Sequence, residues 1–233
     1  MPTTTYLARR SEILDYFDRS AAETWARLTS TAPVGRIRAT VREGRARMRA
    51  VLLDWLGPDL HGLEILDAGC GTGLLAVELA ARGAVVTAVD LSPRLVELAR
   101  ERARGEPAAA RVEFRVGDML DPALGRFDHV VAMDSLIHYA TADMVAAWAT
   151  LAARTRRSLL VTYAPRTPPL ALMHGLGRLF PRGERAPSIV PVGEAALRRA
   201  LAAEPGLAGW RWARTARIAH GFYTSQALEL VPA

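Results

Sequence analysis

The sequence predicts an α/β fold: a mostly parallel seven-stranded sheet with helices on both faces, carrying an N-terminal helical extension and a mid-chain insert. Three observations lead to it. Short apolar runs alternate with helical periodicity from Glu64 to Tyr163, the rhythm of successive strand–helix–strand units. A glycine turn, Gly69-Cys70-Gly71-Thr72-Gly73, separates the first run from the first of those helices. The chain closes on two further strand-like runs, Trp210–Ala219 and Tyr223–Val231.

Taken in order, Ser11–Thr29 reads as an amphipathic helix with Ile13, Leu14, Phe17, Trp25 and Leu28 as its apolar residues, broken by Thr31-Ala32-Pro33. A second helix, Ile37–Leu56, turns Val41, Met48, Val51, Leu52 and Trp55 toward the core and stops at Gly57-Pro58. Its other face carries Arg38, Arg42, Arg45, Arg47 and Arg49, a pattern that reads mostly as a solvated face, with an anionic substrate group or anionic lipid as the alternative contact. Strands are expected at Glu64–Asp67, Val85–Asp90, Val112–Val116, Phe127–Met133 and Ser158–Tyr163, with helices at Leu74–Arg82, Pro93–Arg104 and Asp143–Ala153. Pro165–Pro191 interrupts the rhythm with prolines, glycines, apolar residues and arginine, and a helix over Gly193–Ala203 resumes it. The chain thus divides into an N-terminal helical extension (1–58) that packs on the core and covers the site, and the core itself (59–233), whose insert (165–191) contributes a lid.

At 233 residues the chain buries one sizeable core, and one elaborated domain fits it best. There is no lysine; all 30 basic residues are arginine, and the net charge is +6. That charge favours anionic lipid or an anionic small molecule over nucleic acid, because the arginines are spread along the chain and aromatic residues are few. Cys70 is the single cysteine, which excludes an intrachain disulfide and points to a reducing compartment. No secretory signal or membrane-length apolar run is visible, so a cytoplasmic protein is expected, at most peripheral on a membrane.

Chemistry concentrates at the strand ends. Three glycines in five residues let the backbone approach a ligand closely, and the second strand ends on Asp90, where a carboxylate can accept from both hydroxyls of a ribose. A dinucleotide fingerprint needs a third glycine where Leu74 stands. Gly-x-Gly-x-Gly after Asp67 instead resembles motif I of the class I S-adenosylmethionine-dependent methyltransferases, whose core is a Rossmann-like sheet. That resemblance implies that Asp67 meets the methionyl ammonium, that Gly69, Cys70, Gly71 and Gly73 line the cofactor, and that Asp90 and Leu91 hold the ribose. It also implies that Asp118 and Met119, in Gly117-Asp118-Met119, meet the adenine, and that Asp134 completes the set. Each residue alone has a plain structural reading; the three consecutive strand-end motifs together do not.

The acceptor is named by other segments. The fourth strand ends in Asp134-Ser135-Leu136-Ile137-His138-Tyr139 and lacks the Asn/Asp-Pro-Pro-Tyr/Phe of amino-methylating nucleic-acid enzymes. Together with Asp15-Tyr16-Phe17 and Trp25, Pro187-Ser188-Ile189-Val190-Pro191 and Gly221-Phe222-Tyr223, it resembles the magnesium-protoporphyrin IX O-methyltransferases of chlorophyll and bacteriochlorophyll synthesis. The resemblance implies methyl transfer to a propionate of magnesium protoporphyrin IX, with magnesium present only as part of the substrate and no metal site in the protein. His138, as hydrogen-bond partner, base or axial magnesium ligand, and Tyr16, as donor to the carboxylate, are the candidates beside the acceptor; His174 reads first as a surface histidine, with a magnesium or porphyrin contact as its alternative. The large porphyrin-binding subunit of magnesium chelatase is the implied partner. Two other readings stay open: a methyltransferase acting on another anionic or planar metabolite, and a cofactor-binding partner protein without turnover.

Overall fold

The computed structural model describes residues 3–18, 35–166 and 188–233. Strands β1 (Glu64–Ala68), β2 (Val85–Asp90), β3 (Val112–Val116), β4 (Phe127–Ala132) and β5 (Thr155–Tyr163) run parallel. β6 (Trp210–His220) and β7 (Tyr223–Pro232) join them antiparallel, giving the order β3-β2-β1-β4-β5-β7-β6. From β1 the chain builds outward to β3 and then returns to place β4 on the other side of β1. The crevice above the carboxyl ends of β1 and β4 is therefore a topological switch point, where α/β sheets bind ligands.

The described helices are α1 (Thr4–Tyr16), α2 (Arg36–Leu56), α3 (Leu74–Ala81), α4 (Pro93–Ala103), α5 (Thr141–Ala152) and α6 (Glu194–Ala203). Alternate strand residues feed two cores. Leu66, Val130, Leu159 and Leu228 pack against Trp148 of α5, Leu197 of α6, and Tyr6 and Ile13 of α1. Their neighbours Ile65, Val131, Leu160 and Ala227 pack against Leu52 of α2, Leu79 of α3 and Val96 of α4. Both faces of the central strands are thus covered, the condition that makes parallel strands read as continuous apolar runs.

Most expected boundaries agree within a residue or two, and the two exceptions have local causes. β5 begins at Thr155 rather than Ser158, because Thr155 already pairs with Phe127 across a register irregularity. α1 begins at Thr4, seven residues before the expected Ser11, because the Thr3 hydroxyl caps it by accepting from the Tyr6 N–H at 3.0 Å. Tyr6 and Ile13, two turns apart, form the buried stripe of that helix. The expected continuation to Thr29, with Trp25 and Leu28 and the break at Thr31-Ala32-Pro33, lies outside the described residues. So do residues 167–187 of the insert, with His174, Arg178 and Arg182.

The two N-terminal helices do not act as a pair in space. α1 belongs to the face built with α5 and α6, and α2 to the face built with α3 and α4. Leu52 of α2 is fully buried. Leu52→Ala is expected to lower unfolding free energy by about 3 kcal/mol, the usual cost of a core leucine cavity; a urea midpoint unchanged from the parent would place α2 outside the cooperative core.

Candidate functional site

The crevice at the switch point collects acidic side chains. Asp67 lies in β1, Asp90 ends β2, Asp118 follows β3 and Asp134 follows β4. The glycine turn between β1 and α3 is tied to β2, since the N–H groups of Gly69 and Cys70 both donate to the Val89 carbonyl, at 2.8 and 3.0 Å. Gly73 closes it by donating to the Cys70 carbonyl at 3.0 Å. Gly69 has φ +85°, and a Cβ there would meet Ser135 Cβ at 2.4 Å. Gly71, at φ +55°, has open space where its Cβ would be, the opening a ligand needs. Asp90 steadies the turn: Oδ2 accepts from the Gly71 N–H at 2.8 Å and Oδ1 from the Ser92 N–H at 3.0 Å, with half-buried Leu91 between. Burial raises the Asp90 carboxyl and these amides lower it, for a net rise. Burial also pushes the Cys70 thiol well above its ordinary value, which leaves it protonated and unreactive.

Asp67 is 2% exposed. The Ala76 amide in the first turn of α3 donates to its carboxylate, while Oδ2 has no partner among the described residues. Burial, then the neighbouring Asp90, raise its pKa to about 7. The Ser135 hydroxyl, against Gly69, is also buried without a partner among the described residues. Such orphans are costly unless a ligand satisfies them. Two unmatched oxygens beside an open glycine turn fit a ligand that brings N–H groups, as the ammonium of S-adenosylmethionine does.

Asp118 is shared with α1. Its Oδ1 accepts from the Tyr6 hydroxyl at 3.1 Å and the Leu120 N–H at 2.9 Å, and its Oδ2 from Arg10 Nη1 at 2.7 Å. Tyr6 stacks on Tyr139 with centroids 4.8 Å apart, and burial, chiefly, pushes both hydroxyls well above their ordinary range, so both stay neutral. Met119 is buried, with its methyl near the Gly69 position. α1 lies across the whole crevice: Thr5 donates to Asp143 of α5 at 2.9 Å, and Asp18 beyond its far end accepts from the Ser92 hydroxyl at 3.2 Å.

His138 sits in the loop after β4, half-buried, with Nδ1 3.4 Å from the Ser188 carbonyl. Arg9 of α1 clamps the same place, Nε donating to the His138 carbonyl at 2.9 Å and Nη2 to the Ser188 carbonyl at 2.9 Å. The Val190 N–H donates to the Ile137 carbonyl at 2.8 Å, so the chain returning from the insert is laid along this loop. Tyr16 packs edge-on against Phe17 at 5.2 Å, and Phe17 edge-on against His138 at 6.3 Å, which brings Tyr16 to the histidine's end of the crevice through an intervening ring.

Both oxygens of Asp134 are taken by donors from within the protein, among them Arg45 Nη1 at 2.7 Å and the Tyr223 hydroxyl at 2.9 Å. Arg45 is no part of a solvated face, and Arg49 reaches Glu78 at 3.1 Å. The sequence does not mark Tyr6, Arg9, Arg10 or Arg45 as site residues. An aromatic residue two turns before Ile13 is the one local signal for any of them.

Comparison with known proteins agrees with this geometry. The family model described as magnesium-protoporphyrin IX methyltransferase C-terminus matches residues 132–232, and a general methyltransferase-domain model matches residues 65–158. The chain is 47% identical over 228 residues to the magnesium-protoporphyrin O-methyltransferase of Rhodobacter capsulatus, covering 97% of this chain and 98% of that one. It is 31% identical to the corresponding enzyme of Synechocystis, covering 98% and 99%. The crystal structure of magnesium protoporphyrin IX methyltransferase from Synechocystis with bound SAH superposes with a TM-score of 0.85 at 30% identity, covering 96% of this chain and all of that one.

The raised Asp67 carboxyl has a consequence in pH. A protonated Asp67 cannot hold an ammonium, so binding one below about pH 7 must release the proton. S-adenosylmethionine affinity is expected to weaken as pH falls through 7, approaching about tenfold per unit, with proton release visible by calorimetry in buffers of different ionisation enthalpy. In the free protein the sign is opposite: the raised carboxyl favours the fold when protonated, and that contribution is lost as pH rises through about 7. Affinity constant between about pH 8 and pH 6 would remove Asp67 from the contact.

Proposed function

The chain belongs to the magnesium-protoporphyrin IX O-methyltransferase family of class I S-adenosylmethionine-dependent enzymes, and on that premise we propose how its residues carry out the transfer. It moves a methyl group from S-adenosylmethionine to magnesium protoporphyrin IX. The oxygens of protoporphyrin IX are those of its propionates, so O-methylation esterifies one of them. The observation that carries the placement of the donor is the orphaned, buried Asp67 oxygen beside an open glycine turn.

When bound, S-adenosylmethionine supplies an electrophilic methyl on a sulfonium centre. We assign Asp67 and the Ser135 hydroxyl to its ammonium, the backbone of Gly69–Gly73 with Cys70 to its methionyl part, and Asp90 beside Leu91 to its ribose. Each Asp90 oxygen accepts one backbone N–H and keeps room for a hydroxyl. Asp118 has three donors and one remaining acceptor position, which suits the exocyclic amine of adenine over Met119.

A propionate is already ionised near neutrality, so the chain does not need a strong base. Its task is alignment and exclusion of water, because the reacting charges neutralise one another and water favours them apart. α1, anchored from Asp143 to Ser92, covers the crevice in the manner this requires, which supports α1, rather than the whole of residues 1–58, as the cover. His138 faces the Ser188 carbonyl with Nδ1, and we place its ring beside the acceptor, where an imidazole hydrogen-bonds a propionate or takes the proton of an un-ionised acid. Tyr16 would donate to the acceptor carboxylate and turn one oxygen to the methyl. For the macrocycle we favour the shelf formed by Ile37 and Phe222, 56% and 55% exposed. The Phe222 N–H donates to Thr40 at 3.3 Å, joining the hairpin tip to the amino end of α2, where exposed Arg36 and Arg38 offer charge for the second propionate.

No described helix is long and apolar enough to cross a membrane. Peripheral membrane contact and hand-over from the large porphyrin-binding subunit of magnesium chelatase belong to this proposal, tested by flotation with anionic vesicles and by co-sedimentation with that subunit.

Incubation with both substrates should add one methyl to the porphyrin and release S-adenosylhomocysteine. Asp90→Ala should weaken cofactor binding at least tenfold, about the worth of a charge-assisted hydrogen-bond pair; an unchanged titration would exclude the ribose role. His138→Ala should lower kcat about tenfold, below the usual range for an obligatory base, with cofactor affinity within about twofold. Full turnover at saturating porphyrin would dismiss it.

A further inference from the structure

Among the described residues, Asp134 is the only non-glycine with positive φ, at 53°. Its carboxylate is buried and holds four donors. Arg45 Nη1 and the Tyr223 hydroxyl reach Oδ2 at 2.7 and 2.9 Å, and the Thr162 and Ser225 hydroxyls reach Oδ1 at 3.0 Å each. Its own N–H donates to Thr162 Oγ1 at 2.7 Å. A carboxylate offers about four acceptor positions, so none remains for a ligand.

We infer that Asp134 is a positioning residue for methyl transfer: it locks the left-handed kink from which the His138 loop departs. The inference rests on the acceptor-side role proposed for His138. The donors come from α2, β5 and β7, so the kink is referenced both to the helix packed on the sheet and to the two strands next beyond β4 in the sheet order. The loop beyond the kink serves both halves of the crevice. Ser135 is pressed against the cofactor turn at Gly69, and three residues later His138 reaches the end of the crevice clamped by Arg9. α2 is held close enough for this by Gly44, where a Cβ would stand 2.5 Å from the Tyr223 ring. Bulk at position 44 would push that ring and its hydroxyl off Asp134. Arg45, adjacent in sequence, supplies the charge.

Two conservative variants test the idea in the full-length protein. Asp134→Asn keeps a residue that tolerates the left-handed region, but it removes the charge opposite Arg45 and sets an amide donor where the Thr162 and Ser225 hydroxyls now donate. Tyr223→Phe removes one hydroxyl and leaves the ring. With magnesium protoporphyrin and S-adenosylmethionine, kcat is expected to fall at least tenfold in Asp134→Asn and about threefold in Tyr223→Phe, while the S-adenosylhomocysteine dissociation constant rises by no more than about threefold in Asp134→Asn, the share of the neighbouring Ser135 contact, and stays unchanged in Tyr223→Phe. The His138 ring resonances, identified by their loss in His138→Gln, should shift in both variants. If cofactor affinity falls in step with kcat, Asp134 belongs to the cofactor site and the inference is wrong. It is equally wrong if the His138 resonances and kcat match the parent. Should the parent itself fail to methylate magnesium protoporphyrin, the acceptor assignment fails, and the His138 resonances still decide whether Asp134 positions the loop.

Discussion

Four carboxylates crowd the C-terminal edge of one parallel sheet, and most of what surrounds that edge exists to supply them with donors. Asp67 has a helix amide, Asp90 the amides of Gly71 and Ser92, Asp118 the Tyr6–Arg10 pair, and Asp134 an arginine and three hydroxyls. Buried charge without a partner is among the costliest features a fold can carry. The remedies differ, and the differences sort the four by role. Asp134 is fully matched among the described residues, whereas Asp67 keeps one oxygen without a donor.

This arrangement explains what the sequence discloses and what it withholds. Strand-end acids and a glycine turn are local events, written within a few residues of each other, and Asp67, Asp90 and Asp118 are legible for that reason. The donors are not local. Arg45 stands 89 positions from Asp134 and Arg10 108 from Asp118, so nothing in their own surroundings distinguishes them from solvated arginines on a helix. Asp134 is legible as important, being at the right strand end, but its role depends on Tyr223 and Ser225, which only sheet register brings beside it. The early start of α1 is hidden similarly: Tyr6 continues the Ile13 stripe across a polar turn, and the stripe is convincing only once Asp118 and Tyr139 stand beneath it.

α1 and α2 look alike in sequence, two arginine-bearing amphipathic helices, yet they serve opposite ends of the problem. α2 is wedged into the sheet face by Met48 and Leu52 and lends Arg45 from a rigid base. α1 contributes fewer buried side chains and is held chiefly by polar ties at its ends and middle. Polar ties contribute less net stability than extensive apolar packing, so α1 is the more weakly held of the two helices.

β7 lies between β5 and β6, although it is the last strand in chain order. It brings Tyr223 and Ser225 to Asp134, half of that carboxylate's donors. During synthesis, β1 to β5, the glycine turn and the helices between them emerge before the residues that complete the kink after β4. The kink after β4 is therefore completed by residues that follow it by 89 and 91 positions, and the closing hairpin serves the crevice as well as the edge of the sheet.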